Sequence, residues 1–379
     1  MDCAASFNLL HFIDAAWLIT IGVLLVVSRL APRVRDWAER VSRRRFAQAF
    51  IVGSLLVLVQ DALHLPAQLY GHHRFVVCGG SVQGWGSWLW DWGTSESITL
   101  VVNGFAIWIL YGALRRAPRR WWFYFWLVAV GIVTFMEWIG PVIINPLFYR
   151  FDPLQTKHPE LVAQLQNVAA HGGVKIPADR IFTMNASTKW SGANAQVTGF
   201  GSSARVAIFD TMIARTATPE LLFLFGHELG HYVLHHRLKS VAVTCASLLV
   251  FFFWGDHAMR WGLFRWGKQL GVHGMADWAS LPLLMLAFSI FTFLDEPVQN
   301  SFSRTMEHEA DVYGLEIVHG ILPDSRQTSA QALRNLENGP PPSPFIRIWL
   351  YDHPPIDNRI RFALEYDPWA KGQAPKYVK

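Results

Sequence analysis

Histidine, glutamate and histidine stand at a metal-binding spacing in an apolar stretch of this chain. They are His227, Glu228 and His231, which form an HExxH motif. Residues four positions apart lie on one face of an α-helix, so both imidazoles can bind one metal ion. Zinc suits this arrangement because it accepts imidazole nitrogen and keeps one coordination position open in catalytic sites. A zinc ion held there makes water acidic enough to attack an amide, and Glu228 can take the proton, as in a zinc peptidase.

A third protein ligand is expected further along the chain. The metzincin spacing requires glycine and histidine where the chain has Leu234 and Arg237. The next cluster of acidic residues contains Glu307 and Asp311, which a helix would place on one face. One carboxylate can bind the metal while the other accepts a hydrogen bond from a ligating histidine. We take Glu307 as the third ligand; the alternative is a solvated charged face with Arg304 as the ion-pair partner.

Several motifs accompany these residues in a fixed order. They are HELGH at 227–231, SRxxExxAD at 303–311, and segments at 141–148, 194–199 and 353–360. In this combination the chain resembles the type I CAAX prenyl endopeptidases and their bacterial kin, which are integral-membrane zinc metallopeptidases. The resemblance implies a gluzincin-like peptidase core that binds one zinc ion per chain.

The resemblance also implies a role for individual residues around the metal. The zinc ligands would be His227, His231 and Glu307. Glu228 would be the general base, and Asp311 would accept a hydrogen bond from a metal-binding histidine. Arg359 falls on an arginine thought to face the cleft, and its alternative is an ion pair with Asp352 or Asp357.

Other matching residues are implied to contact the substrate. Asn194, Ala195 and Gly199 fall on an edge strand, where an extended peptide can add as a further strand. His353 falls on a histidine that faces the cleft and can donate a hydrogen bond to an oxyanion. The alternative for His353 is a turn histidine held in place by the two prolines that follow it.

The composition is typical of a membrane protein. The chain is 52% hydrophobic and 16% charged, and it has 18 tryptophans, which concentrate at membrane interfaces. Six apolar stretches predict membrane spans at about 7–28, 46–65, 98–114, 121–143, 240–254 and 281–294. A tryptophan-rich stretch at 85–92 is too short to span and predicts an interfacial segment.

These observations predict a mainly α, multi-pass membrane protein with a small β-sheet. Residues 1–145 would form an N-terminal transmembrane region. Residues 146–379 would form the zinc peptidase domain, including two further membrane helices at about 240–255 and 281–294. An amphipathic helix at 159–170 and strands at 181–184, 194–198 and 205–209 are expected beside the site.

Basic residues predict the orientation in the membrane. Seven arginines lie in 29–45, four lie in 115–120, and three basic residues lie in 260–268. With six spans, alternation places these loops on one side, which the positive-inside rule makes the cytoplasm. The metal-binding motifs would then face the periplasm or exterior of a cell inner membrane. The three cysteines leave open whether Cys3 and Cys78 pair.

The predicted function is an integral-membrane zinc metalloendopeptidase acting on peptides or protein tails. Its expected partners are the peptide substrate and the lipid bilayer, without nucleic acid, and the oligomeric state is left open. One alternative is a site-2-type intramembrane protease with Asp295 as the third ligand. The other is a zinc-binding scaffold, chaperone or inactive homologue that binds peptides without cleaving them.

Overall fold

The computed structural model describes residues 3–198, 205–336 and 343–378 of the 379-residue chain. Its helices are α1 (Cys3–Val27), α2 (Leu30–Val41), α3 (Arg45–Val77), α4 (Trp85–Arg116), α5 (Trp121–Ile139), α6 (Asn145–Phe148), α7 (Pro159–His171), α8 (Asp210–Arg215), α9 (Thr218–Val233), α10 (His236–Leu270), α11 (Leu281–Val318), α12 (Ser325–Arg334), α13 (Pro344–Leu350) and α14 (Ile356–Glu365). The strands are β1 (Phe151–Pro153), β2 (Ile181–Met184), β3 (Ala195–Thr198) and β4 (Arg205–Phe209). The predicted fold class, mainly α with a small sheet, is confirmed.

Six helical segments in the described residues are long and apolar enough to cross a membrane, as predicted. They extend beyond the apolar stretches seen in the sequence; the fifth covers His236–Leu270 and the sixth covers Trp278–Val318. Residues 85–92, which the sequence predicts as an interfacial segment, form the first turns of α4. No proline interrupts the chain between the tryptophans and the apolar part of α4, so helical hydrogen bonding continues through it.

The chain divides into two compact units, each assembled from separate segments. The first contains the chain up to Cys78 together with Gly84–Thr134 and Thr244–Glu296. The second contains Gly79–Gln83, Phe135–Val243 and the chain from Pro297 onward. Each unit has its own cluster of buried apolar side chains, so each has a hydrophobic core.

Two links tie together distant parts of the first unit. A disulfide joins Cys3, at the start of α1, to Cys78, directly after α3. Arg35 on α2 donates to Asp277, just before α11, at 2.6 Å, and both side chains are almost fully buried. The pairing of the two cysteines, which the sequence leaves open, is therefore present.

A four-stranded mixed sheet lies in the second unit, with strand order β1-β2-β4-β3. β1 and β2 are antiparallel, β2 and β4 are parallel, and β4 and β3 are antiparallel. The strands predicted from alternating residues are thus present, with β3 at an edge. α9 packs against this sheet through buried side chains such as Phe223 and Phe225, which share one core with Ile208 of β4.

Glycines allow a close approach between α9 and α11. A β-carbon on Gly314 of α11 would lie 3.1 Å from the backbone nitrogen of His227 and 3.2 Å from its Cα. A β-carbon on Gly230 of α9 would lie 3.0 Å from Tyr313 Cβ and 3.2 Å from Ala310 Cα. Since these contacts are to backbone and Cβ atoms, larger residues would force the two helices apart. Because Gly230 and Gly314 have no side chain, the HExxH helix can pack directly against the helix that carries Glu307.

We expect Gly314→Val to destabilise the protein by about 1–3 kcal/mol, because overpacking against a rigid backbone moves the helices. The measurement is the thermal unfolding midpoint of the detergent-purified protein. Gly131→Val is the matched control, since a β-carbon there meets no atom within 4 Å. Equal midpoints for the two variants would contradict the role of Gly314 in helix packing.

Candidate metal centre

The local sequence of α9 explains where its histidines lie. The helix begins with Pro219 in its first turn, where a missing N–H costs nothing, followed by Glu220 near the positive end of the helix dipole. It ends before His235, which adopts a left-handed conformation with φ of 56°. That residue reverses the chain into α10, so that His236 turns back toward the end of α9.

The two histidines of the motif face the same point. The Nε2 atoms of His227 and His231 lie 3.1 Å apart, and their rings are nearly perpendicular. His227 is buried, while His231 keeps about a quarter of its side chain exposed. The i, i+4 spacing therefore brings both nitrogens together, as the helical geometry requires.

Glu307 completes a triangle of possible ligand atoms. Its Oε2 lies 3.3 Å from His227 Nε2, and its Oε1 lies 3.2 Å from His231 Nε2. Among the described residues, these three side chains are the group whose ligand atoms converge, all within 4.8 Å of one another. Glu307 Oε2 is buried and lacks a hydrogen-bond donor.

The triangle fits a tetrahedral metal ion. Metal–nitrogen bonds of roughly 2.0–2.1 Å at tetrahedral angles separate neighbouring ligand atoms by about 3.3 Å. The two imidazole nitrogens are 3.1 Å apart, close to that value, and each of them has one oxygen of the Glu307 carboxylate at 3.2–3.3 Å. Two imidazoles and one carboxylate are also ligands that zinc accepts, and they leave a fourth position open.

Asp311 and Arg359 lie behind His227, and Arg359 Nη2 also lies 3.6 Å from Glu307 Oε2. His227 Nδ1 lies 2.9 Å from Asp311 Oδ1, and Arg359 donates to both Asp311 oxygens at 2.7 and 2.8 Å. All three side chains are buried. Burial alone would lower the pKa of Arg359, but the adjacent Asp311 carboxylate raises it. Arg359 thus pairs with Asp311 and with neither aspartate considered from the sequence.

The electrostatic environment favours positive charge at the triangle. Burial alone would lower the pKa of His227, but the neighbouring carboxylates of Asp311 and Glu307 raise it to about 10. The carboxylates therefore stabilise a cation at the position of the imidazole nitrogens. Glu228 as a whole is half-buried, but its carboxyl group is surrounded by protein. This burial raises the pKa of Glu228 above its ordinary value.

His236 supports the second histidine and was missed in the sequence. Its Nδ1 lies 3.0 Å from His231 Nδ1, and its Nε2 lies 3.0 Å from Glu309 Oε2. Lys239 donates to the same Glu309 oxygen at 2.8 Å. If His231 binds a metal through Nε2, its Nδ1–H donates to His236 and His236 Nε2–H donates to Glu309. The one available signal was the repeated histidine at 235–236, which does not say which imidazole turns inward.

His353 lies at the mouth of the site. Its Nδ1 is 2.7 Å from Asp352 Oδ1, and its Nε2 is 3.4 Å from Glu307 Oε2. The hydrogen bond that His353 donates to the Asp352 carboxylate raises the pKa of His353, which helps the imidazole to carry a proton. Half of the side chain is exposed, so a substrate can reach it.

A cavity beside His231 connects the triangle with the edge strand. It has a volume of about 460 Å³ and is lined in part by Val197, Thr198, His231, Ser303 and Met306. All of these belong to the second unit. The cavity thus adjoins both a possible metal ligand and β3.

The remaining predicted residues have different surroundings. Asn194 accepts a hydrogen bond from the N–H of Ala195 through its own side chain, at 2.8 Å. Gly199 lies outside the described residues. Asp295 accepts a hydrogen bond from Ser247 at 2.9 Å and is not part of the converging group, so the geometry does not support it as a third ligand.

Comparison with known proteins agrees with this geometry. The profile of Peptidase family M48 matches residues 155–367, and the profile described as CAAX prenyl protease N-terminal, five membrane helices, matches residues 7–150. The chain belongs to peptidase family M48. A Bacillus subtilis protein described as an uncharacterized metalloprotease, YhfN, is 31% identical over 94% of this chain and 82% of its own length.

More distant relatives support the same assignment. The CAAX prenyl protease 1 of Saccharomyces cerevisiae is 24% identical over 84% of this chain and 72% of its own length. The crystal structure of S. mikatae Ste24p matches with a TM-score of 0.75 at 23% identity, over 89% of this chain and 82% of that chain. That structure shows the shared fold. This M48 member is an integral-membrane metalloendopeptidase.

We expect His236→Ala to lower the metal affinity of the apoprotein about 10- to 100-fold, because it removes the acceptor that orients His231. The measurement is competition with a fluorescent zinc chelator. His236→Asn, which retains an acceptor, should lose less. Lys239→Gln is the control, since it removes an exposed group at the far end of the chain of hydrogen bonds. Unchanged affinity in His236→Ala would refute the positioning role.

Proposed function

We propose that this M48 peptidase is a zinc enzyme that hydrolyses peptide bonds in extended peptides or protein tails. The observation that carries the proposal is the triangle of His227, His231 and Glu307, with Glu228 beside it on α9. Two imidazoles and one carboxylate that converge in this way suit tetrahedral zinc coordination. The retained glutamate argues against a scaffold or inactive homologue, because Glu228 is not needed to hold a metal.

Each residue of the centre has a distinct proposed role. The ligands of one zinc ion per chain are His227, His231 and Glu307. Bound zinc supplies a Lewis acid that polarises a carbonyl and acidifies water. Glu228 takes the proton from the attacking water and passes it to the leaving amine. His353, held by Asp352, donates to the oxyanion of the tetrahedral intermediate.

Asp311 and Arg359 are proposed as positioning residues. The Asp311 carboxylate holds the Nδ1–H of His227, which presents Nε2 to the metal. Arg359 fixes that carboxylate through two hydrogen bonds, so the aspartate cannot turn toward the metal itself. Because Arg359 is buried beside Asp311 and Glu307, it acts on the metal centre through these two carboxylates.

The substrate is proposed to lie along β3. In the pairing with β4, Phe209 N–H donates to Asn194 C=O, so Asn194 and Gln196 direct their backbone groups toward β4. Alternation then turns the backbone groups of Ala195 and Val197 to the open edge. Val197 also lines the cavity next to His231, so a peptide added there would pass the metal centre.

The metal centre is proposed to face the periplasm or exterior across a cell inner membrane. Cys3 and Cys78 lie at the ends of the first two spans that are opposite to the arginine-rich segments. Disulfides persist in oxidising compartments, while basic loops face the cytoplasm. Both features give the same orientation. Alternation of the spans then puts residues 149–235 and the chain after α11 on the disulfide side.

We expect Glu228→Gln to bind one zinc ion per chain and to lower kcat/KM by about 100- to 10,000-fold, because the proton acceptor is lost. The measurements are metal content and cleavage of a quenched peptide library by purified protein. Chelator should abolish wild-type cleavage, and added zinc should restore it. Zinc-loaded Glu228→Gln that cleaves at the wild-type rate would contradict the assigned role.

We expect Val197→Pro to raise KM about two- to tenfold, because it removes one backbone donor from the substrate edge. Proline is tolerated on an edge strand where its N–H faces outward. Val197→Ala is the matched control, since it keeps the N–H and shortens the side chain. If Val197→Ala changes KM as much as Val197→Pro, the substrate does not use this backbone donor.

We expect alkaline phosphatase to be active when fused to the C-terminus and inactive when inserted between α10 and α11. The enzyme requires an oxidising compartment, so its activity reports the side of the membrane. The opposite pattern would invert the proposed orientation without affecting the chemistry of the centre.

A further inference from the structure

A groove with a volume of about 830 Å³ lies in the first unit, and none of the metal-binding residues lines it. It lies where α3 begins, α4 ends and α5 begins. Its lining contains Arg45, Trp108, Ile109, Gly112, Ala113, Arg115, Arg116, Ala117, Tyr124 and Val128. One part of this arginine groove is thus strongly basic and the other is apolar.

The three arginines of the groove have no acidic partner among the described residues. Arg115 Nη1 is buried and has no hydrogen-bond acceptor. Its guanidinium lies 4.6 Å from the ring centroid of Trp278 and 5.9 Å from that of Tyr111, so aromatic faces hold it. A buried cationic N–H without an acceptor is costly, which favours binding of an anion.

Two other arginines of the same unit are neutralised by carboxylates. Arg35 pairs with Asp277, and Arg260 pairs with Asp256 at 2.8 Å. Arg115 differs from both, because it combines a buried N–H that has no acceptor with the lack of an acidic partner.

Gly112 leaves space in the groove beside the guanidinium of Arg116. A β-carbon on Gly112 would lie 3.5 Å from Arg116 Nη1, so this guanidinium lies over the glycine. The lack of a side chain on Gly112 keeps the space between Arg116 and α5 open. A larger residue at this position would fill the groove without removing any charge.

The apolar part of the groove continues along the membrane-spanning helices. Ile109, Ala113 and Val128 line it, together with Trp108 and Tyr124, which are 41% and 48% exposed. Tryptophan and tyrosine are enriched at the level of lipid headgroups. A ligand that fits carries a negative group at the arginine end and a hydrocarbon chain at the other.

We propose that the arginine groove binds the phosphate of an anionic membrane phospholipid, with an acyl chain along α4 and α5. Guanidinium groups bind phosphate through paired, charge-assisted hydrogen bonds. Basic pockets between membrane helices bind such headgroups from the arginine-rich side of a membrane. This inference is independent of the proposed peptidase chemistry.

The test is lipid binding by the purified full-length protein in detergent, followed by native mass spectrometry and thermal unfolding. The probes are phosphatidylglycerol, diphosphatidylglycerol, phosphatidylcholine and inorganic phosphate. We expect the two anionic lipids to bind about tenfold more tightly than phosphatidylcholine and to raise the unfolding midpoint by about 5 °C. Inorganic phosphate alone should produce no shift.

The decisive variant combines Arg45→Gln, Arg115→Gln and Arg116→Gln and should lose the preference for anionic lipids. The matched control combines Arg43→Gln, Arg119→Gln and Arg120→Gln, which removes the same charge from exposed positions outside the groove. Gly112→Leu should also lose the preference while it retains every arginine, so the test does not depend on the stability of the triple variant.

Three results would overturn the proposal. One is equal binding of phosphatidylcholine and the anionic lipids by the wild type. Another is a preference for anionic lipids that survives in both the triple variant and Gly112→Leu. The third is a full shift with inorganic phosphate alone, which would make the groove a site for free phosphate.

Discussion

The close contact between α9 and α11 is the constraint on which the rest of the site depends. The ligand atoms of His231 and Glu307 lie 3.2 Å apart although they are far apart in the chain. The backbones of the two helices approach closely here, and Gly230 and Gly314 permit this because they add no β-carbon at the contact. The same contact places Asp311, one turn after Glu307, behind His227.

Charge balance explains why so many ionisable groups are buried at this point. The carboxylates of Glu307 and Asp311 face the guanidinium of Arg359 and the imidazole of His227, whose pKa they raise. Buried charges are unstable without such compensation. A divalent cation in the triangle would take the place of the proton on His227 Nε2 and would bind Glu307 Oε2, which has no hydrogen-bond partner.

Each histidine of the motif has its own support, and the two supports differ chemically. His227 contacts a carboxylate that is itself fixed by an arginine. His231 contacts a second imidazole, whose other nitrogen contacts Glu309. Both arrangements hold the ring and leave Nε2 free for a metal. The left-handed backbone of His235 is what turns His236 into this position.

The sequence by itself determined the features that depend on local periodicity. These were the helical HExxH spacing, the six apolar spans, the three short strands and the candidate pair Glu307 and Asp311. The boundaries of α4 were not predictable in the same way, because a helix continues through polar turns when neighbouring helices pack against it.

Only the tertiary structure decided which side chains meet. It paired Arg359 with Asp311, joined Cys3 to Cys78, turned His236 toward His231, and left three arginines around one groove without a carboxylate. These contacts join residues from separate helices or depend on the direction in which a side chain turns. Periodicity along the chain gives the face of a helix, but it contains no information on which other element covers that face.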